Sequence, residues 1–141
     1  MKAREVVFDT NVLVAAFRSK RGASHELVRL IGTAELRLNV SVALALEYEE
    51  VLKRDGILQG VPERAIDDFF DYLFQTSYLA PFVLRRRPTL PDPDDERILE
   101  VAVQCGATII THNIKDFAGA EKLGVPVRTP ADFLKTIKDG I

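Results

Sequence analysis

The sequence predicts a three-layer α/β fold, one domain over residues 1–141, with helices on both faces of a mostly parallel sheet. Three observations predict it. Short apolar runs containing β-branched residues, Val6–Phe8, Leu36–Val40 and Thr108–Thr111, recur along the chain, as strands do. Longer segments of helical periodicity separate them, and strands joined by helical crossovers pair in parallel under two helical layers. Polar residues follow directly where two of these strands end, Asp9 after the first and His112-Asn113 after Thr111. In open parallel sheets the carboxyl ends of strands form the crevice that holds ligands.

Each element has its own local reason. Val6-Val7-Phe8 is a buried strand. Val12 to Phe17 is apolar, free of Gly and Pro, and helical. Gly22 and Gly32 bracket a second helical pattern with Leu27, Leu30 and Ile31 on one side. Leu36 to Val40 alternates with period two and reads as a strand. Ser41 can cap a helix that runs to about Arg54 and stops before Asp55-Gly56. Pro62 suits the first turn of the next helix. That helix covers 63–78, with Ile66, Phe69, Phe70, Leu73 and Phe74 on one face, as core or as a subunit contact. Pro81 to Leu84 is expected as a strand, 85–93 as a loop and 94–105 as a helix. After the strand 108–111, a polar turn and short helix reach Gly124, and Val125–Arg128 forms a last strand. Thr129-Pro130 then opens a final helix, cap and first-turn proline in order.

Composition excludes several classes. At 141 residues, 47% hydrophobic and 28% charged, the chain supports one sizeable core and is not disordered. A net charge of −2 excludes a generally basic nucleic-acid coat but not a local basic patch. The single cysteine, Cys105, lies in an apolar helical pattern. It leaves no disulfide framework and no cysteine zinc site, and it fits a reducing cytoplasm. The two histidines are far apart, so a metal here would be hard and oxygen-ligated. No signal peptide is expected, since Arg4 and Glu5 follow Met1 closely. No apolar run approaches the roughly 20 residues of a membrane span.

Four acidic or polar stretches carry the chemistry. Asp9 sits where a buried strand meets a helix; Asp9 or Asn11 could equally serve as a helix cap. Glu47 shares a helix face with Ala43, Leu44 and Val51. A carboxylate there is costly without compensation, unless it stands at the stripe edge paired with a Lys or Arg. Asp92-Pro93-Asp94-Asp95-Glu96 puts four acids ahead of a packed helix. One or two would suffice for capping and the macrodipole, and four repel one another. Thr111-His112-Asn113-Ile114-Lys115-Asp116-Phe117 follows a strand end, so Asn113 or Asp116 can face the same crevice. His112 alone reads as a surface residue. Clustered carboxylates without Cys or His partners suit Mg²⁺ or Mn²⁺, and the usual chemistry of such a site is phosphodiester hydrolysis.

With these motifs in order, the chain resembles the PIN-domain family of metal-dependent ribonucleases, especially the toxin components of bacterial and archaeal toxin–antitoxin pairs. The likeness runs from Asp9-Thr10-Asn11-Val12-Leu13 through Ser41 and Glu47, Asp92 to Asp95, and Thr111 to Phe117, to the closing Thr129-Pro130-Ala131-Asp132-Phe133. It implies that the family's three acids fall on Asp9, Glu47 and Asp95, as ligands of Mg²⁺ or Mn²⁺. Thr10, Asn11, Ser41, Asp92, Asp94 and Thr111 stand in supporting positions. Where many members carry a fourth acid this chain has Asn113, with Asp116 three residues on. The resemblance further implies an RNA substrate, a homodimer and inhibition by a small antitoxin.

Arg85-Arg86-Arg87 could hold an RNA phosphate backbone or balance the acids of 92–96. Two other functions compete with the nuclease. A phosphatase with a nucleophilic Asp after its first strand wants an acid two residues on, where Asn11 stands. A non-catalytic PIN-like module that binds RNA or a protein would have a site eroded at Asn113.

Overall fold

The computed structural model describes residues 3–81 and 89–140. In chain order it holds β1 (Arg4–Phe8), α1 (Thr10–Arg18), α2 (Ala23–Arg29), β2 (Leu36–Ser41), α3 (Val42–Leu52), α4 (Glu63–Thr76) and β3 (Tyr78–Ala80). Then follow α5 (Pro93–Cys105), β4 (Thr108–Ile110), two short 3₁₀ turns at Ile114–Phe117 and Glu121–Leu123, β5 (Val127–Arg128) and α6 (Pro130–Lys138). The five strands form one sheet in the order β3-β2-β1-β4-β5, and every pairing is parallel. The fold is the expected α/β class with a parallel sheet.

β1 is the central strand because its sequence suits burial on both faces. Val6, Val7 and Phe8 are all fully buried, and a strand inside a parallel sheet reads as a continuous apolar run. Each such side chain contributes about 1.5–3 kcal/mol when taken from water. Val6 is level with Leu38 of β2 and Thr108 of β4, and Phe8 with Ile110. The chain lays down β2 and β3 on one side of β1, then crosses to lay down β4 and β5 on the other. Right-handed crossovers put helices on opposite faces when the direction of progress reverses. α5 accordingly packs on β1, β2 and β4, while α1 and α2 pack together and α2 meets α6. The reversal falls between β1 and β4, and in such sheets the crevice opens at that point.

Local signals set most boundaries. Ser41 Oγ accepts from the Leu44 amide at 3.1 Å and starts α3. Asp92 accepts from Asp94 N–H at 2.9 Å, with Pro93 in the first turn of α5. Gly106, at φ +64°, ends that helix in the left-handed region that a β-carbon disfavours. Thr129 caps α6 through Asp132 N–H at 3.2 Å.

Several boundaries differ from the sequence reading. The third strand is Tyr78–Ala80, ahead of Pro81, and pairs Asn39 with Tyr78 and Ser41 with Ala80. α4 ends at Thr76, two residues early, because Ser77 turns extended and its N–H caps Leu73 O. The expected strand at Pro81–Leu84 lies beyond Pro81 outside the described residues, as do Arg85, Arg86 and Arg87. The last strand is shorter than expected, Val127–Arg128. On α4, Ile66, Phe70 and Leu73 are core, Phe69 packs edge-on against Phe17, and Phe74 is exposed. No helix among the described residues is long and apolar enough to cross a membrane.

Candidate active site

Asp9 stands at the carboxyl end of β1, beside the point where strand order reverses. Its N–H donates to Ile110 O at 2.9 Å, which ties it to β4. It occupies the residue before α1, where the Thr10 and Asn11 amides approach its carboxyl without the geometry of a full capping hydrogen bond. The Thr111 hydroxyl donates to Asp9 Oδ2 at 2.7 Å from the end of β4. Asp9 is only 8% exposed. Burial pushes its carboxyl above the usual carboxylate range. The Thr111 hydroxyl and the Thr10 and Asn11 amides work against that rise, and the charge of Asp116 adds to it.

Glu47 reaches the same crevice from α3. That helix buries Leu44, Ala45, Tyr48 and Leu52. The apolar face assigned to Glu47 from sequence is therefore split. Leu44 turns into the core, while Ala43 and Val51, four residues either side of Glu47, line a cleft with it. Glu47 Oε2 accepts from the Thr10 hydroxyl at 3.1 Å, and Oε1 pairs with an Arg97 guanidinium nitrogen at 3.3 Å. Burial raises its pKa, Thr10 and Arg97 lower it, and the charges of Asp94 and Asp9 raise it further. The basic partner expected of an ordinary stripe-edge glutamate is thus present, and it is Arg97.

Asp95 lies in the first turn of α5. Its carboxyl is pushed up to about 7, first by burial and then by the charges of Asp9, Asp92, Asp116 and Asp94. The acids of β1, α5 and the turn after β4 therefore share one field. Asp9, Thr10, Asn11, Glu47, Asp94, Asp95 and Arg97 line a cleft of about 740 Å³. Arg18 and Arg54 form its far wall. Arg18 is anchored on Ile57 O at 3.1 and 2.7 Å, and Arg54 grips Glu50 at 2.8 and 2.7 Å.

The turn after β4 is built on Thr111. Asn113 N–H donates to Thr111 Oγ1 at 3.0 Å, and His112 N–H reaches Asn11 Oδ1 at 3.4 Å. Asn113 and Asp116, both expected at the site, are exposed and do not line the cleft, although the charge of Asp116 is felt at Asp9 and Asp95. His112 does more than the sequence suggested, since its Nε2 meets the Oγ of buried Ser24 at 3.0 Å. Ser41 and Asp92 act locally as caps of α3 and α5. Sequence reasoning missed Arg97, whose only signal was a lone cation inside an acidic run. It also missed Tyr48, whose buried hydroxyl donates to Phe8 O and holds α3 against the strand end that carries Asp9.

The donor chemistry suits a hard divalent cation, because burial and mutual repulsion leave Asp9 and Asp95 short of positive charge. Among the described residues, however, no three His, Cys, Asp or Glu side chains stand close enough together to hold a metal ion. Both oxygens of Glu47 are already engaged. The set fits an ion held through one or two carboxylates with waters completing its shell, the habit of Mg²⁺.

Comparison with known proteins agrees with this architecture. Solved structures of similar fold include VapBC-1 from nontypeable Haemophilus influenzae (TM-score 0.60, 17% identity, 90% of this chain and 98% of that one). VapBC2 from Rickettsia felis, bound to a DNA fragment from its promoter, matches with TM-score 0.59 and 15% identity over 89% of this chain and 98% of that one. DNA-bound VapBC from Salmonella typhimurium matches with TM-score 0.58 and 17% identity over 91% and 99%. At these identities the likeness is one of fold. No curated protein sequence matches. The PIN domain family model matches residues 5–115, from β1 through the turn after β4, and the chain belongs to the PIN-domain family.

Proposed function

We propose that this protein is a metal-dependent endoribonuclease that hydrolyses RNA phosphodiester bonds, and that it is the toxin of a toxin–antitoxin pair. One observation carries the reading: three carboxylates from separate elements, Asp9, Glu47 and Asp95, line one cleft at the sheet's switch point, and burial raises all three. Family membership supports the nuclease class, and the likeness to VapBC structures supports the toxin role and an antitoxin partner.

In this reading Asp9 and Asp95 hold Mg²⁺ or Mn²⁺, with Glu47 as third acid. Such an ion, held there, would supply polarisation of the phosphate and a water of lowered pKa. Thr111 fixes the Asp9 carboxylate, Thr10 fixes Glu47, and Asn11 steadies the turn that carries Asn113 and Asp116. Asp116 adds a fourth negative charge beside Asp9 and Asp95. The protein works in the cytoplasm as a homodimer.

The test is a panel of RNAs incubated with the purified protein in Mn²⁺, Mg²⁺ or EDTA. Fragments released with metal and not with EDTA are expected. A second reading is favoured by the closed Glu47–Arg97 pair and the absence, among the described residues, of a three-acid group. It is a non-catalytic PIN-like module that binds RNA or a protein. It predicts binding without fragments under every metal condition. Co-purification with the product of an adjacent small reading frame tests the toxin assignment.

A further inference from the structure

Arg97 is out of place for a surface cation. It sits two residues beyond Asp95, its guanidinium contacts Glu47 at 3.3 Å and Asp94 at 3.7 Å, and its half-exposed side chain lines the cleft. The two other arginines that line this cleft are committed elsewhere, Arg18 to Ile57 O and Arg54 to Glu50. Glu47 is only 12% exposed, so its ion pair is partly shielded from solvent. With Thr10 on one oxygen of Glu47 and Arg97 on the other, both are engaged, and among the described residues Asp9, Glu47 and Asp95 do not stand close enough together to hold an ion as a trio.

The geometry points to Arg97 as a cation that holds Glu47 in the metal-free protein and, once Glu47 is neutralised by a divalent ion, turns to bind a phosphate of the RNA strand. This rests on the ribonuclease reading above. Two opposed consequences follow from charge. Arg97 competes with the ion for Glu47, because two cations close to one carboxylate repel each other. Released, the guanidinium offers planar paired donors that match a phosphate. A residue that merely braced the fold would weaken ion and RNA binding together.

The experiment has two arms on folded protein, each variant checked by its melting curve. In the first, Mn²⁺ is titrated calorimetrically into wild type and Arg97→Gln. The variant should bind Mn²⁺ about three- to tenfold more tightly. In the second, a fluorescent single-stranded RNA is titrated in EDTA, where nothing is cleaved, into wild type, Arg97→Gln, Glu47→Gln and the double variant. In the wild-type background Arg97→Gln should change RNA affinity about twofold or less. In the Glu47→Gln background, where Arg97 keeps only its longer pair with Asp94, it should cost about tenfold. Equal losses in both backgrounds, or Mn²⁺ affinity unchanged or weakened by Arg97→Gln, overturn the inference. Wild type that neither binds nor cleaves any RNA would instead remove the ribonuclease reading, and the Mn²⁺ arm would still judge the competition at Glu47.

Discussion

Asp95→Asn should stabilise the metal-free protein at alkaline pH and not at acid pH. Asp95 is raised from 3.8 to about 7 by burial and by the charges of Asp9, Asp92, Asp116 and Asp94. A carboxyl whose folded pKa exceeds its unfolded value keeps its proton in the native state when the unfolded chain has lost it. Stability then falls as pH rises from about 4 to about 7, and the full penalty holds above that. Taken whole, the shift corresponds to about 4 kcal/mol. Solvent reaches this carboxylate and screens its neighbours, so about 1–2 kcal/mol is the realistic penalty. Against it stands the loss of one acid from the first turn of α5, about 0.3–1 kcal/mol. The net expectation is a melting temperature roughly 1–5 °C higher than wild type at pH 8 in EDTA. The gain should vanish below about pH 4. Thermal unfolding of both proteins from pH 4 to 8 measures it. A variant less stable at pH 8, or a difference independent of pH, would refute the claim that these acids repel one another across the cleft.

Other outcomes follow from the same geometry. Asp9→Asn should abolish RNA cleavage yet melt in EDTA at or above the wild-type temperature, and strong destabilisation in EDTA would make Asp9 a structural residue. Wild type with Mg²⁺ at about 100 times its dissociation constant should gain roughly 2.7 kcal/mol, and Asp9→Asn should gain less. Replacing Arg85, Arg86 and Arg87 by Gln should weaken RNA binding and flatten its salt dependence; an unchanged slope assigns them to charge balance. Exposed Val42, Leu46, Phe74 and Leu79 give α3, α4 and β3 an uncovered apolar face. Sedimentation at tens of micromolar should therefore find dimers, and monomer alone would count against a homodimer.

Much of the fold was legible because burial on both faces writes itself as uninterrupted apolar strands, as in Val6–Phe8. Capping chemistry is equally local, so Ser41, Asp92 and Thr129 could be read from their neighbours. The strand Tyr78–Ala80 was not anticipated because Tyr78 and Leu79 continue the aromatic periodicity of α4, and only pairing with Asn39 and Val40 makes them strand. Glu47 was found, but its face was not resolved, because Ala43, Leu44 and Val51 are all apolar and only packing separates core from cleft wall. Arg97 and Tyr48 were missed because their partners lie 50 and 40 residues away, beyond any local pattern. The relation of His112 to Ser24, across 88 residues, escaped for the same reason.

The most direct test of the central claim is an anomalous difference map from crystals of the protein grown with Mn²⁺. The account predicts one strong peak in the cleft, about 2.0–2.3 Å from carboxylate oxygens of Asp9 and Asp95, with further ligands from water or Glu47. A map with no peak there at millimolar Mn²⁺, or with Mn²⁺ bound only outside the cleft, would contradict it.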